Sequence, residues 1–160
     1  FGYRITDPDW FTEEEFNAML KKVEEIASAF RNTGWQIANH SYTHNSYWST
    51  GAITLNEMKS DVDRWKSLIE PYVGETPILI SPFGAHFDKD DARFRYIVDN
   101  GFYIYCPVGA GMATSINSDN IVQDRLNLDG YNMLSHPERI SKYFFDVSDI
   151  VDPSRPKADW

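Results

Sequence analysis

The sequence predicts an α/β domain whose strands run mostly parallel, and three observations carry that reading. Short apolar runs alternate with amphipathic helical patterns along the chain. Polar, histidine-bearing stretches follow directly on several of those runs, the place where sites gather at the carboxyl ends of strands in α/β folds. The chain has 160 residues, 42% of them apolar and 24% charged, which fits a single domain over residues 1–160 with room for a core that needs no staples.

The elements follow in order. Residues 1–5 read as the tail of a strand. Thr12 opens a helix, and Glu15 completes a capping box with it. Phe16, Met19, Leu20, Val23, Ile26, Ala27 and Phe30 give that helix one apolar face, and Gly34 ends it. Residues 35–39 form a short strand that runs straight into His40, followed by a polar loop over 41–53. Thr54 and Glu57 make a second capping box. Met58, Val62, Trp65 and Ile69 are the buried stripe behind it, and Pro71 helps to stop the helix.

Residues 77–81 are a buried strand ending in Pro82-Phe83-Gly84. Asp88 caps a third helix with Phe94, Ile97 and Val98 inside, ending at Asn100-Gly101. Residues 102–106 are the next strand, 109–120 a Gly/Ser/Asn-rich loop, and 122–128 a further strand. Residues 131–135 are expected as a strand leading into His136, with a short helix and a polar tail after it. There is no internal repeat, coiled coil or low-complexity tract.

Charge and cysteine content narrow the function classes. Twenty-four acidic residues against 15 basic ones give a net charge of −9, which argues against a nucleic-acid partner and disfavours an anionic membrane or polymer. No apolar run approaches the ~18 residues of a membrane span, and no signal peptide is present. Phe1 is not an initiator residue, so targeting segments removed upstream fit the sequence equally well. A single cysteine, Cys106, rules out an internal disulfide framework and a multi-cysteine metal site. Aromatic residues make up 15% of the chain; some surplus over the core would suit stacking on sugar rings, which composition alone does not separate from packing.

The main functional signal is the placement of four histidines, His40, His44, His86 and His136, each at or just beyond an expected strand end. His40 and His44 bring their rings to one side if the segment between them is a helical turn, and neutral imidazole is the commonest ligand for divalent transition metals. The same spacing also fits two surface histidines in a polar loop.

The stretch Gly34-Trp35-Gln36-Ile37-Ala38-Asn39-His40-Ser41-Tyr42-Thr43-His44 resembles the second motif of the NodB-homology polysaccharide deacetylases, carbohydrate esterase family 4. Ser81-Pro82-Phe83-Gly84 resembles the next motif, Arg-x-Pro-Tyr/Phe-Gly, with Ile80 in place of the arginine, and Leu134-Ser135-His136 resembles the last, Leu-x-His. The resemblance runs over about residues 1–140 and implies an incomplete or distorted (β/α) barrel of the NodB type. It implies metal-dependent removal of N- or O-acetyl groups from an acetylated polysaccharide. It implies His40 and His44 as ligands of a divalent metal, usually zinc, and the Phe83 N–H as an oxyanion donor. Pro82 and Leu134 would line the substrate, Leu134 against the acetyl methyl, and His136 would be the general acid. Arg125 is a candidate to stand in for the arginine.

The first family motif, Thr-Phe-Asp-Asp, supplies the third metal ligand and the catalytic base, and nothing here matches it. Asp7 and Asp9 are the nearest candidates, and the first strand and helix are expected to be missing. Asp124 and Asp129 are candidates to tune the acid histidine. His86 is either a substrate contact or an incidental surface residue. With both carboxylates unassigned, the expectation for these residues is little or no deacetylase activity. A catalytically degenerate, deacetylase-like carbohydrate-binding domain is the alternative. Relatives act at the bacterial envelope or outside the cell.

Overall fold

The computed structural model describes residues 11–49, 51–109, 111–152 and 154. The expected strand at 1–5, and Asp7 and Asp9, lie outside the described residues.

Both capping boxes form. Thr12 Oγ1 accepts the Glu15 N–H at 3.2 Å and the Glu15 carboxylate accepts the Thr12 N–H at 2.9 Å, opening α1 (Glu13–Asn32). Gly34 closes it at φ 89°, a left-handed turn in which the Trp35 N–H reaches the Phe30 carbonyl at 3.0 Å. Thr54 and Glu57 repeat the same box at the head of α2 (Leu55–Leu68). Its stripe of Met58, Val62 and Trp65 is buried as the spacing predicts. This helix ends at Leu68, three residues before Pro71, which has no N–H to continue the ladder. α2 ends two residues before α3 (Glu70–Val73) begins, and Pro71 sits in the first turn of α3, where its missing N–H costs nothing. The Arg31 guanidinium donates to the Val73 carbonyl and ties α1 to α3.

Among the described residues the sheet has four strands in the order β1-β2-β4-β3: β1 (Ile78–Ile80), β2 (Ile104–Cys106), β3 (Thr114–Ile116) and β4 (Ile121–Gln123). β1 with β2 and β2 with β4 are parallel, and β3 runs antiparallel to β4. β3 lies inside the stretch expected as loop. Its three residues are all exposed, so it carries no apolar alternation for a sequence reading to find. Only the end of the expected strand at 35–39 pairs. Asn39 bridges Leu79, its N–H on the Ile78 carbonyl at 2.9 Å and its carbonyl receiving the Ile80 N–H at 2.8 Å. The strand expected at 122–128 is shorter, and Arg125 beyond it makes a single parallel bridge to Val108.

α4 (Ala92–Asp99) packs Phe94, Ile97 and Val98 inward as predicted, but its cap is Asp91, not Asp88. The Asp91 carboxylate accepts the Arg93 N–H at 2.8 Å and pairs with the Arg93 guanidinium at 2.6 Å, which holds its carboxyl below the usual range. Residues 131–135 are helix, not strand: α5 (Gly130–Ser135) is capped by Asp129, whose carboxylate accepts the Asn132 N–H at 2.8 Å. The local cap outweighs the weak β preference of this run. The short helix expected after it is α6 (Pro137–Ser141).

The core lies between the sheet and α2 and α4. Trp48, Met58, Val62, Phe94 and Tyr105 are fully buried there, each apolar side chain contributing about 1.5–3 kcal/mol. The outer part of the α1 stripe stays open. Val23, Ile26 and Phe30 line a cavity of about 620 Å³ with Leu68 across from them, and His40 and His44 stand at its wall.

Candidate active site

The carboxyl ends of the parallel strands meet at one edge of the sheet, the place where α/β folds build their sites. His40 follows the Asn39 bridge, Pro82-Phe83-Gly84 follows β1, Pro107 follows β2 and Arg125 follows β4.

His40 is pinned by its neighbour strand. Its Nδ1 lies 2.8 Å from the Ile80 carbonyl oxygen. A carbonyl only accepts, so Nδ1 is the donor in this contact and Nε2 is the ring nitrogen left for other partners. This is the outer-shell contact that ligating histidines usually make. The His44 ring centre is 4.8 Å from that of His40, at 65° between planes. Two imidazoles on one tetrahedral cation, with metal–nitrogen distances of about 2.0–2.1 Å, have ring centres roughly 5 Å apart. Imidazole nitrogens are the donor type that divalent cations such as zinc take. Among the described residues no group of three or more His, Cys, Asp or Glu side chains assembles around such a point.

The rings do not meet through a helical turn. Residues 41–45 are an irregular loop in which Ser41 has φ 64° and His44 φ 45°. Non-glycine residues held in that region cost about 1–3 kcal/mol each. Three sets of hydrogen bonds hold them there. Asn39 Oδ1 accepts the Ser41 N–H at 2.7 Å, and Ser41 Oγ accepts the His44 N–H at 2.8 Å. Between them the Asp61 carboxylate accepts the Tyr42 N–H at 2.9 Å, the Thr43 N–H at 3.0 Å and the Thr43 hydroxyl at 2.7 Å. Sequence reading missed Asp61. The signal was there: a carboxylate three residues after Met58 and four before Trp65, on the apolar stripe rather than the wet face.

Phe83 stands across from the pair, its ring 4.7 Å from that of His44 and its side chain exposed. It is the third non-glycine residue at positive φ, 54°. Its N–H has no hydrogen-bond partner among the described residues, while the flanking Gly84 and Ala85 N–H groups are used on Ser81 and Pro82 carbonyls. The turn is strained there, as its left-handed φ shows. Pro82 is buried beneath it.

Ile80 is confirmed as a strand residue whose carbonyl serves His40, so no cation stands there. The guanidinium of Arg125 arrives at the same turn from β4. It donates to the Ser81 carbonyl at 2.7 Å and the Cys106 carbonyl at 3.3 Å. Burial pushes the Cys106 thiol up, which leaves it a packing residue rather than a nucleophile.

His136 and Leu134 are placed differently from expectation. His136 lies at the junction of α5 and α6 and not at a strand end; Leu134 is half exposed on α5. Among the described residues His136 meets Tyr131, at 6.3 Å between ring centres, and Glu138, at 3.9 Å. No described contact joins it to His40 or His44. Asp129 is taken up in capping α5, and the Asp124 carboxylate lies against Gly109. His86 is exposed one residue past Ala85.

Fold and site together define a class: an α/β domain with imidazoles and a strained turn at the carboxyl edge of a mostly parallel sheet. The polysaccharide deacetylase family model matches residues 10–100, more than half of the 160-residue chain, and the chain belongs to that family. The matched stretch contains His40, His44 and Pro82-Phe83-Gly84, and ends before Arg125, Leu134 and His136. Comparison with curated proteins and with solved structures gave no match. Membership supports a general deacetylase function and a polysaccharide substrate. No helix among the described residues is long and apolar enough to cross a membrane.

Proposed function

We propose that this chain carries the metal-binding half of a metal-dependent deacetylase acting on an acetylated polysaccharide. The observation that carries the reading is the His40–His44 pair, 4.8 Å between ring centres, with His40 Nδ1 fixed on the Ile80 carbonyl. His40 and His44 would hold a divalent cation, zinc by resemblance. When bound, such a cation supplies Lewis acidity toward a carbonyl and acidifies water.

The protein's own groups do the rest. The Phe83 N–H donates to the oxygen on which negative charge develops, and its turn is set before substrate arrives, so no reorganisation is needed at that moment. The Phe83 ring walls the site beside His44. His136 as proton donor to the leaving group and Leu134 against the acetyl methyl rest on the resemblance alone. A third ligand and a base are carboxylate roles, and Asp7 and Asp9 remain the nearest candidates for them.

The test is zinc binding to the chain, read by competition with a chromophoric chelator, together with acetate release from acetylated chitin oligomers and from an O-acetylated glycan. Zinc affinity is expected to fall at least tenfold in His40→Ala and in His44→Ala. Acetate release, however slow, is expected to require the cation and to fall in step. Equal, chelator-insensitive release by the parent and His40→Ala would overturn the reading. Glycan binding without acetate release in zinc would support instead a sugar-binding relative that has lost catalysis, which Ile80 in the position of the motif arginine favours.

A further inference from the structure

We infer that Asp61 is the positioning residue for the histidine pair, acting on His40 and His44 through the backbone of the loop between them. For its metal readout the inference rests on the proposed function; for the loop geometry it stands alone.

Asp61 is 3% exposed, on the buried face of α2 between Met58 and Trp65. A carboxylate in that place is tolerated only where hydrogen bonds replace its lost water. Among the described residues its three bonds come from Tyr42 and Thr43, two N–H groups and one hydroxyl at 2.7–3.0 Å. These two residues are the ones bracketed by the left-handed Ser41 and His44. The bonds from Asn39 and Ser41 close inside the loop itself, spanning two and three residues. Asp61 reaches the loop from 18 and 19 residues away and ties its backbone to the core. Arg64, also on α2, lies over the Tyr42 ring at 4.4 Å and so holds a side chain, not the backbone.

The consequence is specific. Two charge-assisted bonds fix the peptide planes of Tyr42 and Thr43, and those planes set the direction in which the chain delivers His44 relative to His40. Replacing the carboxylate by an amide of the same shape turns one acceptor into a donor that faces N–H groups. The loop then loses its reason to stay at positive φ, while the helix keeps its volume.

The experiment uses Asp61→Asn, with Thr43→Ala and Thr43→Ser as a second set that leaves the buried carboxylate in place. Zinc affinity and, without metal, amide hydrogen exchange at Tyr42 and Thr43 are measured on the whole chain, with circular dichroism to follow the fold. Asp61→Asn is expected to bind zinc 10–100-fold more weakly, the size of a lost outer-shell contact, and to exchange both amides at least tenfold faster with helix content kept. Thr43→Ala is expected to move both readouts in the same direction by a smaller factor, and Thr43→Ser to restore them. A folded Asp61→Asn chain with exchange and zinc affinity within twofold of the parent overturns the inference. If the parent itself binds no zinc, the proposed metal site fails while the exchange measurement still decides the role of Asp61. If Asp61→Asn does not fold, a Thr43→Ala chain whose amide exchange matches the parent overturns the inference, and faster exchange rescued by Thr43→Ser supports it.

Discussion

Arg125 shows how one side chain can organise a strand edge. Its guanidinium leaves the chain just past β4 and satisfies the carbonyls of Ser81 and Cys106, at the ends of the two neighbouring strands. Each of these carbonyls also accepts a backbone N–H, Gly84 on Ser81 at 3.3 Å and Ser81 on Cys106 at 3.2 Å, so the planar, always-charged guanidinium takes up their second lone pairs and braces the two strand ends together. Arg125→Met is expected to cost about 1–3 kcal/mol, because two partly buried acceptors lose a charged donor. Arg125→Lys should recover only part of that, since an ammonium cannot match both carbonyls with one fixed fork. Urea unfolding midpoints of the three proteins check this, and equal midpoints for Arg125→Met and the parent would remove Arg125 from the account. At this scale the meeting of His40, His44 and Phe83 at one edge of the sheet was legible in the sequence, because each follows a strand end marked by a short local pattern. Asp61 and the partners of Arg125 were not. Their contacts span 18 to 44 residues, and a helical-face reading counts every charge as solvent-facing.

Among the elements, the turn after β1 is the most constrained. Gly84 has φ 76°, and a Cβ there would lie 2.5 Å from the Val108 Cβ at the end of β2. Gly34, at the end of α1, has φ 89° with open space around it. An alanine at either position pays the left-handed backbone cost of about 1–2 kcal/mol. Only Gly84→Ala adds a steric clash, typically about 1–3 kcal/mol more. The difference between the two variants in thermal or urea unfolding therefore isolates the packing of the turn against β2. Similar losses for both would mean that Val108 yields, and that the turn is not held from that side. The helices with capping boxes were readable almost to the residue, since a side chain and an N–H three positions apart settle the start locally. Residues 131–135 and β3 were not, for opposite reasons: the first is apolar but is helix, capped by Asp129, and the second has a partner in β4 but no apolar pattern.

For the molecule as a whole, Tyr105 links the sheet to the site edge and makes stability depend on alkali. It sits in the centre of β2, fully buried, and its hydroxyl donates to the Ala85 carbonyl at 2.6 Å, just past the Pro82-Phe83-Gly84 turn. Burial disfavours the phenolate and drives its pKa well above the ordinary value of 10.0. A raised folded-state pKa contributes stability that is complete below the unfolded-state value and is lost as pH rises past it. Above pH ~10 the unfolded chain releases the Tyr105 proton and the native chain keeps it, so this residue lowers unfolding free energy by about 1.4 kcal/mol per pH unit. The net charge of −9 adds its own repulsion at high pH, which a comparison with Tyr105→Phe subtracts. At pH 8 the variant should be less stable by about 1 kcal/mol, the worth of the lost hydrogen bond. Above pH ~10 it lacks the Tyr105 slope, so the gap should close within about one pH unit and then reverse. Urea unfolding at pH 8, 10 and 11 measures the gap directly. A gap that stays constant across that range would mean that Tyr105 ionises as readily folded as unfolded, and that the core beneath the site edge admits water.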